Sequence, residues 1–303
     1  MAQDLQAKSA SIPSGAGAYS YQNDSNRPST VAEALRAATG FGVDRLDAQL
    51  LTLHVLGRPL HDRAWLLAHD TDAFDESAWP ALAALLARRR TGEPVAYLVG
   101  EKEFHGLRLR VDARVLVPRP DTETLVDWAL EVLDGSEAPA VLDLGTGSGA
   151  IALALQQVRS DARVDAVDAS GDALAVATAN AERLGLPVRF MQADWLDGAA
   201  TGYALIASNP PYIAADDHHL GALGHEPLAA LAAGADGLDD IRRIVQAAPA
   251  HLAAGGWLLL EHGYDQAEAV RALLAARGFA EPQSRDDLAG IARCSGGIWR
   301  TVK

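Results

Sequence analysis

The sequence predicts an α/β protein whose main domain is a doubly wound parallel sheet, preceded by a small helical domain and a β-hairpin. Short apolar runs typical of buried strands alternate with helical stretches along the second half of the chain. The strand runs are AVLDLG (140–145), RVDAVDA (163–169), VRFMQAD (188–194), YALIASN (203–209) and GWLLLEHG (256–263). The intervening helical stretches include DALAVATANAERLG (172–185) and AEAVRALLAARG (267–278).

The region before the sheet divides into three parts. Residues 1–28 are rich in small polar residues without periodicity, which predicts a poorly ordered tail. Residues 29–93 predict a helical domain, which begins with Thr30 and Glu33 at capping-box spacing and ends near the basic run 88–90. Alternating apolar and polar residues over 94–117 predict a hairpin that links this domain to the α/β domain, 118–303.

Composition and charge narrow the possible functions. The 303 residues include 49% apolar and 22% charged residues, the composition of a soluble globular protein. A net charge of −14 argues against broad binding of a nucleic-acid backbone. One cysteine, Cys294, excludes an intramolecular disulfide, and we expect it to have no function. No apolar run approaches the length of a membrane span, so we expect a cytoplasmic protein.

Glycines cluster directly after the first strand run of the sheet. The stretch VLDLGTGSGA places Gly145, Gly147 and Gly149 where a strand gives way to a helix, so a ligand can approach free backbone N–H groups. The pattern is weakly specific by itself, because it also fits a nicotinamide dinucleotide site or a purely structural turn. Asp143, just upstream, favours a cationic ligand group such as the ammonium of an amino acid over a pyrophosphate.

Acidic and aromatic residues follow the next two strand runs. Asp168 ends a strand about 20 residues after the glycines, where a carboxylate can accept both hydroxyls of a ribose. Asp165 lies inside the same strand and is not expected to bind the ligand. Asp194 and Trp195 end another strand, where they can accept from an adenine amino group and cover its ring. An adenosine with an amino-acid tail is S-adenosylmethionine.

The stretch SNPPYI ends the fourth strand run with two prolines. Asn209 and Pro210 offer oxygen acceptors for a planar NH₂ group, and Tyr212 can pack against its flat face. This arrangement would direct the lone pair of the nitrogen toward a methyl donor. Because an amide nitrogen is a poor nucleophile, the expected contribution is positioning and partial neutralisation of the charge that develops on nitrogen.

These motifs resemble the class I S-adenosylmethionine-dependent methyltransferases that modify planar amino nitrogens. Within them the chain is most similar to the peptide chain release factor glutamine N5-methyltransferase family. The likeness covers almost everything from residue 30 onward. It rests on EPVAYLVGEKEFHGLRLRV, VLVPRPDTETLVDWAL, VLDLGTGSGAIALAL, SNPPYI, HEPLAALAAGADGLDDIRRI and RDDLAGIARCSGG. The PRPDTE segment separates this family from a relative that acts on a ribosomal protein, and Leu228 stands where family members usually carry a basic residue.

The resemblance implies a seven-stranded sheet and methylation of the glutamine in the Gly-Gly-Gln loop of release factors, which the helical domain helps to engage. It implies a protein partner only, with no nucleic acid or membrane, and we expect a monomer. The expected cofactor-binding residues are Gly145, Thr146, Gly147, Ser148, Gly149, Asp168, Asp194, Trp195 and Asn209. The expected catalytic residues are Asn209, Pro210 and Tyr212, and the same segment, Asn209, Pro210, Pro211 and Tyr212, is expected to bind the glutamine.

Other functions stay open at this point. The motif at Asn209 also serves methyltransferases that act on adenine N6 in nucleic acids, and a glutamine of a ribosomal protein is another possible substrate. A non-catalytic assembly factor and a nicotinamide oxidoreductase are more distant alternatives. Arg119 and Glu123 either fix the junction of hairpin and domain or border the cofactor pocket, and we expect the former. We expect no metal site at the adjacent histidines 218–219.

Overall fold

A computed structural model of the chain describes residues 27–300. The expected poorly ordered tail, residues 1–28, lies almost entirely outside the described residues. The chain divides into two compact units, one that ends at Ala84 and one that begins at Leu85. No helix within residues 27–300 is long and apolar enough to cross a membrane.

The first unit is helical. Its complete helices are α1 (Val31–Gly40), α2 (Arg45–Val55) and α3 (Arg63–Ala68), and α4 (Trp79–Arg90) begins in this unit. The capping prediction is confirmed, because the Thr30 side chain accepts from the backbone N–H of Glu33 at 3.2 Å. The Glu33 carboxylate reaches one residue further back than in the usual capping box and accepts from the backbone of Ser29 at 2.8 Å.

The second unit contains the end of α4 and all the strands. Arginines 88–90 form the last turn of α4, where cations favour the negative end of the helix dipole, as the sequence predicts. The helices that follow are α5 (Val95–Val99), α6 (Glu123–Val132), α7 (Ala150–Val158), α8 (Gly171–Leu184), α9 (Asp239–Ala247) and α10 (Ala267–Arg277). The strands are β1 (Glu101–Phe104), β2 (Leu107–Arg110), β3 (Ala140–Leu144), β4 (Arg163–Asp168), β5 (Arg189–Gln192), β6 (Tyr203–Ser208), β7 (Leu252–Glu261), β8 (Ala280–Asp286) and β9 (Ala292–Ile298).

Seven strands form one sheet in the order β5-β4-β3-β6-β7-β9-β8. The five strands from β5 to β7 run parallel, and β9 is antiparallel to both of its neighbours. The sheet is therefore doubly wound and mostly parallel, as predicted. The chain order reverses between β3 and β6, and the crevice beyond the carboxyl ends of strands at such a switch point is where α/β proteins bind ligands.

Both faces of the sheet are buried. Neighbouring residues of β3 show this, since Val141 packs in one apolar cluster and Leu142 in the other. Successive side chains of a strand point to opposite faces, so an unbroken apolar run is the expected pattern for a strand covered by helices on both sides. The first cluster includes α6 and α7, and the second includes α9 and α10.

The antiparallel pair β1 and β2 packs beside the sheet and is fixed by two polar side chains. Asn180 of α8 exchanges two hydrogen bonds with the backbone of Arg110, at 2.7 and 3.0 Å. Glu123 at the start of α6 accepts from the backbone N–H of His105 in the hairpin turn at 3.0 Å. Glu123 therefore joins the hairpin to the α/β domain, as the sequence predicts.

Candidate functional site

A cavity of about 350 Å³ opens beyond the carboxyl ends of β3, β4 and β6. It brings together seven of the residues that the sequence singles out, although they come from four separate segments of the chain. These are Gly145, Gly147, Asp168, Asp194, Trp195, Asn209 and Pro211. A cavity of this size at the switch point is the place where the fold offers a small-molecule site.

The glycine loop, residues 145–149, has backbone dihedral angles at its three glycines that would strain residues with a side chain. Gly145, Gly147 and Gly149 have φ values of 69°, 56° and 85°. These lie in the left-handed region that glycine adopts at little cost. A Cβ at Gly149 would also lie 2.9 Å from Leu153 Cδ1, so a glycine there lets α7 begin tight against its own next turn.

Thr146 and Ser148 stand in the same loop but do not line the cavity. The Thr146 hydroxyl donates to Asp143 at 2.6 Å, and the Ser148 carbonyl accepts from Asn180 Nδ2 at 3.0 Å. Both contacts hold the loop from the side of the protein interior. These two residues therefore shape the loop, while their neighbours form the wall of the cavity.

Asp143 is not among the residues that line the cavity, and its expected contact with a cationic ligand group stays a prediction. Its side chain is fully buried, and Oδ2 accepts from Thr146 and from the Ala152 backbone N–H at 3.2 Å. Burial raises the pKa of this carboxyl to about 7, and the hydrogen bond from Thr146 partly opposes that shift. These contacts place the Asp143 carboxyl beneath the glycine loop, and its Oδ1 is buried without a hydrogen-bond partner in the described residues.

Asp168 is oriented by the backbone on both sides. Its Oδ2 accepts from the Gly147 N–H at 2.9 Å, and its Oδ1 accepts from the Ser170 N–H at 2.9 Å. A carboxylate can accept about four hydrogen bonds, so each oxygen keeps a lone pair for a ligand hydroxyl. Asp165, in contrast, is buried within β4 and is bound by Arg189 and by the Tyr203 hydroxyl. The sequence-based distinction between the two carboxylates agrees with this geometry.

Helix α9 supplies a second wall that sequence patterns did not reveal. Arg243 donates to Asp194 at 2.6 Å, and Asp240 accepts from the Trp195 indole N–H at 3.1 Å. Trp195 has a φ of 52°, a strained value for a tryptophan. Its ring also approaches the glycine loop, where a Cβ at Gly145 would lie 3.4 Å away. The acidic and basic residues of α9 therefore fix the strand-end pair Asp194 and Trp195.

Asn209 lies between the large cavity and a smaller one of about 70 Å³, because it is a lining residue of both. The smaller cavity is also lined by Arg119 and Tyr212. The Asn209 amide nitrogen donates to the Thr122 hydroxyl at 3.1 Å. With its nitrogen occupied in this way, the amide keeps its oxygen for another donor.

Tyr212 is held at both ends. Its hydroxyl donates to the Glu261 carboxyl at 3.3 Å, and its backbone carbonyl accepts from the Gln266 amide at 3.0 Å. Burial raises the pKa of the Tyr212 hydroxyl and, to about 7, the pKa of Glu261. Oε2 of Glu261 is buried without a hydrogen-bond partner in the described residues. Glu261 and Gln266 were not expected from sequence. Glu261 ends a strand run that otherwise looks like core.

An ion pair between the partly exposed Arg119 and the buried Glu226 lies beside the smaller cavity. Arg119 donates to Glu226 at 2.5 Å, and the Val117 N–H donates to the same carboxylate at 3.1 Å. The Glu226 side chain is only 2% exposed, while Leu228 nearby is 64% exposed. Arg119 therefore fixes the junction as expected, and in addition it borders a cavity.

Two other sequence-based expectations concern groups outside the cavities. Cys294 is buried in the core and burial raises the pKa of its thiol, so it is no nucleophile at neutral pH. No group of three or more possible metal ligands occurs among residues 27–300.

Two protein families match successive segments of the chain. The PrmC N-terminal domain family matches residues 30–100, and the Methyltransferase small domain family matches residues 124–267. Two solved structures share the fold at low identity. One is a methyltransferase from Pyrococcus furiosus (17% identical, 71% of this chain and 100% of that chain, TM-score 0.50). The other is the T. thermophilus 16S rRNA N2 G1207 methyltransferase in complex with AdoMet and guanosine (20% identical, 66% of this chain and 50% of that chain, TM-score 0.51).

Sequence relatives are much closer. The release factor glutamine methyltransferase of Bordetella pertussis is 53% identical over 84% of this chain and 95% of its own length. The release factor glutamine methyltransferase of Burkholderia pseudomallei is 49% identical over 89% of this chain and 96% of its own length. Identity at this level over nearly the whole of each relative shows that the chain belongs to the release factor glutamine methyltransferase family.

Proposed function

We propose that this protein transfers the methyl group of S-adenosylmethionine to the side-chain amide nitrogen of the glutamine in the Gly-Gly-Gln loop of release factors. The observation that carries the proposal is the position of Asn209 at the meeting point of the two cavities. A methyl donor in the large cavity and a side-chain amide in the small one would meet at this residue. The family membership supports the choice of glutamine as the acceptor.

The residues of the large cavity fit S-adenosylmethionine. Asp168 has acceptor capacity left for a ribose diol, and the glycine loop offers a wall on which no side chain blocks close approach. Asp194 and Trp195 offer a carboxylate and a flat indole for an adenine. When bound there, the cofactor supplies an electrophilic methyl group. We assign the cofactor-binding role to Gly145 and Gly147 of the loop, to Asp168, Asp194 and Trp195, and to Asn209. Thr146, Ser148 and Gly149 hold the loop in shape.

The chain contributes positioning rather than a strong base. The Asn209 side-chain oxygen and the Pro210 carbonyl would accept the two N–H groups of the glutamine amide, and the Tyr212 ring would cover its plane. Both acceptors become stronger partners as positive charge develops on the nitrogen, so they stabilise the transition state more than the ground state. The nitrogen gains one N–C bond as the donor's carbon–sulfur bond breaks, and it releases one proton.

The experiment that tests this proposal is mass spectrometry of purified release factor after incubation with the protein and S-adenosylmethionine. We expect a gain of one methyl on the loop glutamine and none on a variant in which that glutamine is alanine. Methylation of adenine in nucleic acid or of a ribosomal protein, with none on release factor, would overturn the assignment. Size measurement of the free protein and its location in the cell would test the monomeric state and cytoplasmic location, which stay predictions.

A further inference from the structure

Asn209 has two chemically different ends, and only one can serve the proposed acceptor. A side-chain amide presents an oxygen on one side and an NH₂ group on the other, and the two are exchanged by a rotation of the terminal group. The proposed substrate nitrogen also carries two N–H donors. The NH₂ end of Asn209 facing that nitrogen would place donor against donor, so the orientation of the amide decides whether the site can work.

Thr122 determines this orientation directly. The Asn209 nitrogen donates to the Thr122 hydroxyl oxygen at 3.1 Å. A hydroxyl can accept from one group while it donates its single proton to another. If the Thr122 proton pointed at Asn209 instead, the amide would have to turn over to present its oxygen, and its NH₂ end would then face the substrate.

The Thr122 side chain is shielded from water, since the residue is only 4% exposed. Water therefore does not compete with the Asn209 nitrogen for the Thr122 hydroxyl oxygen. The hydrogen bond between the two side chains holds the amide in one orientation.

We infer that Thr122 is a positioning residue that holds the Asn209 amide with its oxygen toward the substrate nitrogen. Thr122 lines neither cavity, so it acts through Asn209. The inference rests on the proposed function, because the oxygen matters only if the acceptor is an N–H donor. It adds one residue from a separate segment to the set that methyl transfer requires.

Thr122→Val and Thr122→Ser form the matched pair that tests it. Valine has the shape of threonine without the hydroxyl, whereas serine keeps the hydroxyl and loses the methyl group. We expect Thr122→Val to lower kcat on release factor by about 100-fold while the Kd for S-adenosylmethionine changes by less than about threefold. Thr122→Ser should recover most of the rate, because the hydroxyl is the group that acts.

A second measurement needs no methyl transfer and so separates this inference from the proposed function. Hydrogen exchange of the Asn209 side-chain NH₂ protons, followed by nitrogen-15 NMR without substrate, reports the bond to Thr122. We expect exchange to be about tenfold faster in Thr122→Val than in wild-type, and close to wild-type in Thr122→Ser. Thr122→Ala, which also lacks the hydroxyl, serves if Thr122→Val does not fold.

Three results would overturn the inference. A Thr122→Val variant that behaves like wild-type, or a Thr122→Ser variant as impaired as Thr122→Val, would show that the hydroxyl is not the group that acts at this position. A loss of S-adenosylmethionine affinity as large as the loss of kcat would place Thr122 in the cofactor site instead. If the wild-type protein itself methylates no release factor, the proposed function fails, and the exchange measurement still decides the orientation of the amide.

Discussion

The carboxylate of Asp168 accepts a hydrogen bond from the backbone N–H of Gly147 at 2.9 Å. The contact joins the end of β4 to the loop that follows β3, so the two neighbouring strand ends define one wall of the cavity. The glycine loop therefore keeps its shape through a side chain that also belongs to the proposed ribose site. Loop shape and ligand affinity are coupled at this one carboxylate.

Asp168→Asn should weaken cofactor binding. Asparagine can still accept from the Gly147 N–H, but its NH₂ end cannot accept from a hydroxyl, and the neutral group forms weaker hydrogen bonds than a carboxylate. We expect the Kd for S-adenosylmethionine, measured by calorimetry, to rise by about 10- to 100-fold. Asp172→Asn, on the exposed start of α8, is the matched control and should leave the Kd unchanged. An equal Kd for Asp168→Asn and wild-type would remove the ribose assignment.

Asn209→Ala should separate chemistry from cofactor binding. Its side-chain oxygen is the proposed acceptor for the substrate amide, whereas the large cavity, the proposed cofactor site, has many other lining residues. We expect kcat to fall by more than about 100-fold, as for removal of one group that stabilises developing charge, with a much smaller change in the Kd for S-adenosylmethionine. Equal losses in the two quantities would show that Asn209 binds mainly the cofactor.

Gly149→Ala should destabilise the protein more than Gly198→Ala. Both glycines have positive φ values, 85° and 73°, so each alanine pays a backbone cost of about 1 kcal/mol. Only at Gly149 would the new Cβ also crowd Leu153 and Ala177, while Gly198 has open space around it. Melting temperatures of the two variants check this difference. Equal decreases would mean that Leu153 can move aside without loss of packing.

Most of the sheet could be predicted from sequence because burial on both faces makes β3, β4, β6 and β7 read as apolar runs. The strand β8, with the sequence AEPQSRD, lies at the edge and carries polar residues, so no such run exists. In β9, burial is achieved with small residues. A Cβ at Gly296 would overlap the Leu259 side chain, and the Ser295 hydroxyl is satisfied by His262 at 2.7 Å. These tertiary contacts leave no hydrophobic pattern in the sequence.

The candidate site likewise contains residues that the sequence predicts and residues that it does not. Asp168 and Asn209 follow strands that are themselves predictable, and the carboxyl ends of parallel strands meet at one edge, so these positions could be assigned from sequence. Arg243 reaches the cavity from a helix, and Thr122 reaches Asn209 from a turn 87 residues away along the chain. Which face of a helix or turn meets a cavity depends on packing that local sequence does not encode.

Stability should depend on pH through Glu261, whose pKa burial raises from the ordinary value of 4.5 to about 7. Below pH 4.5 the carboxyl is protonated in both the folded and the unfolded state, so its ionisation does not lower the free energy of unfolding. Between the two values the unfolded chain ionises first and binds fewer protons, so the free energy of unfolding falls as pH rises, and it levels off above about pH 7. The loss from this group alone should be of order 3 kcal/mol.

Glu261→Gln removes this titration but keeps the size of the side chain. We therefore expect the free energy of unfolding of Glu261→Gln, relative to wild-type, to increase by about 3 kcal/mol between pH 4.5 and pH 8 in urea titrations. Comparing the two proteins cancels the other titrating groups, including Asp143, whose pKa burial also raises. Glu268→Gln, at an exposed position of α10, is the control and should show a constant offset. A constant offset for Glu261→Gln as well would mean that the carboxyl is solvated or charge-compensated in the folded protein, so that its burial does not govern its ionisation.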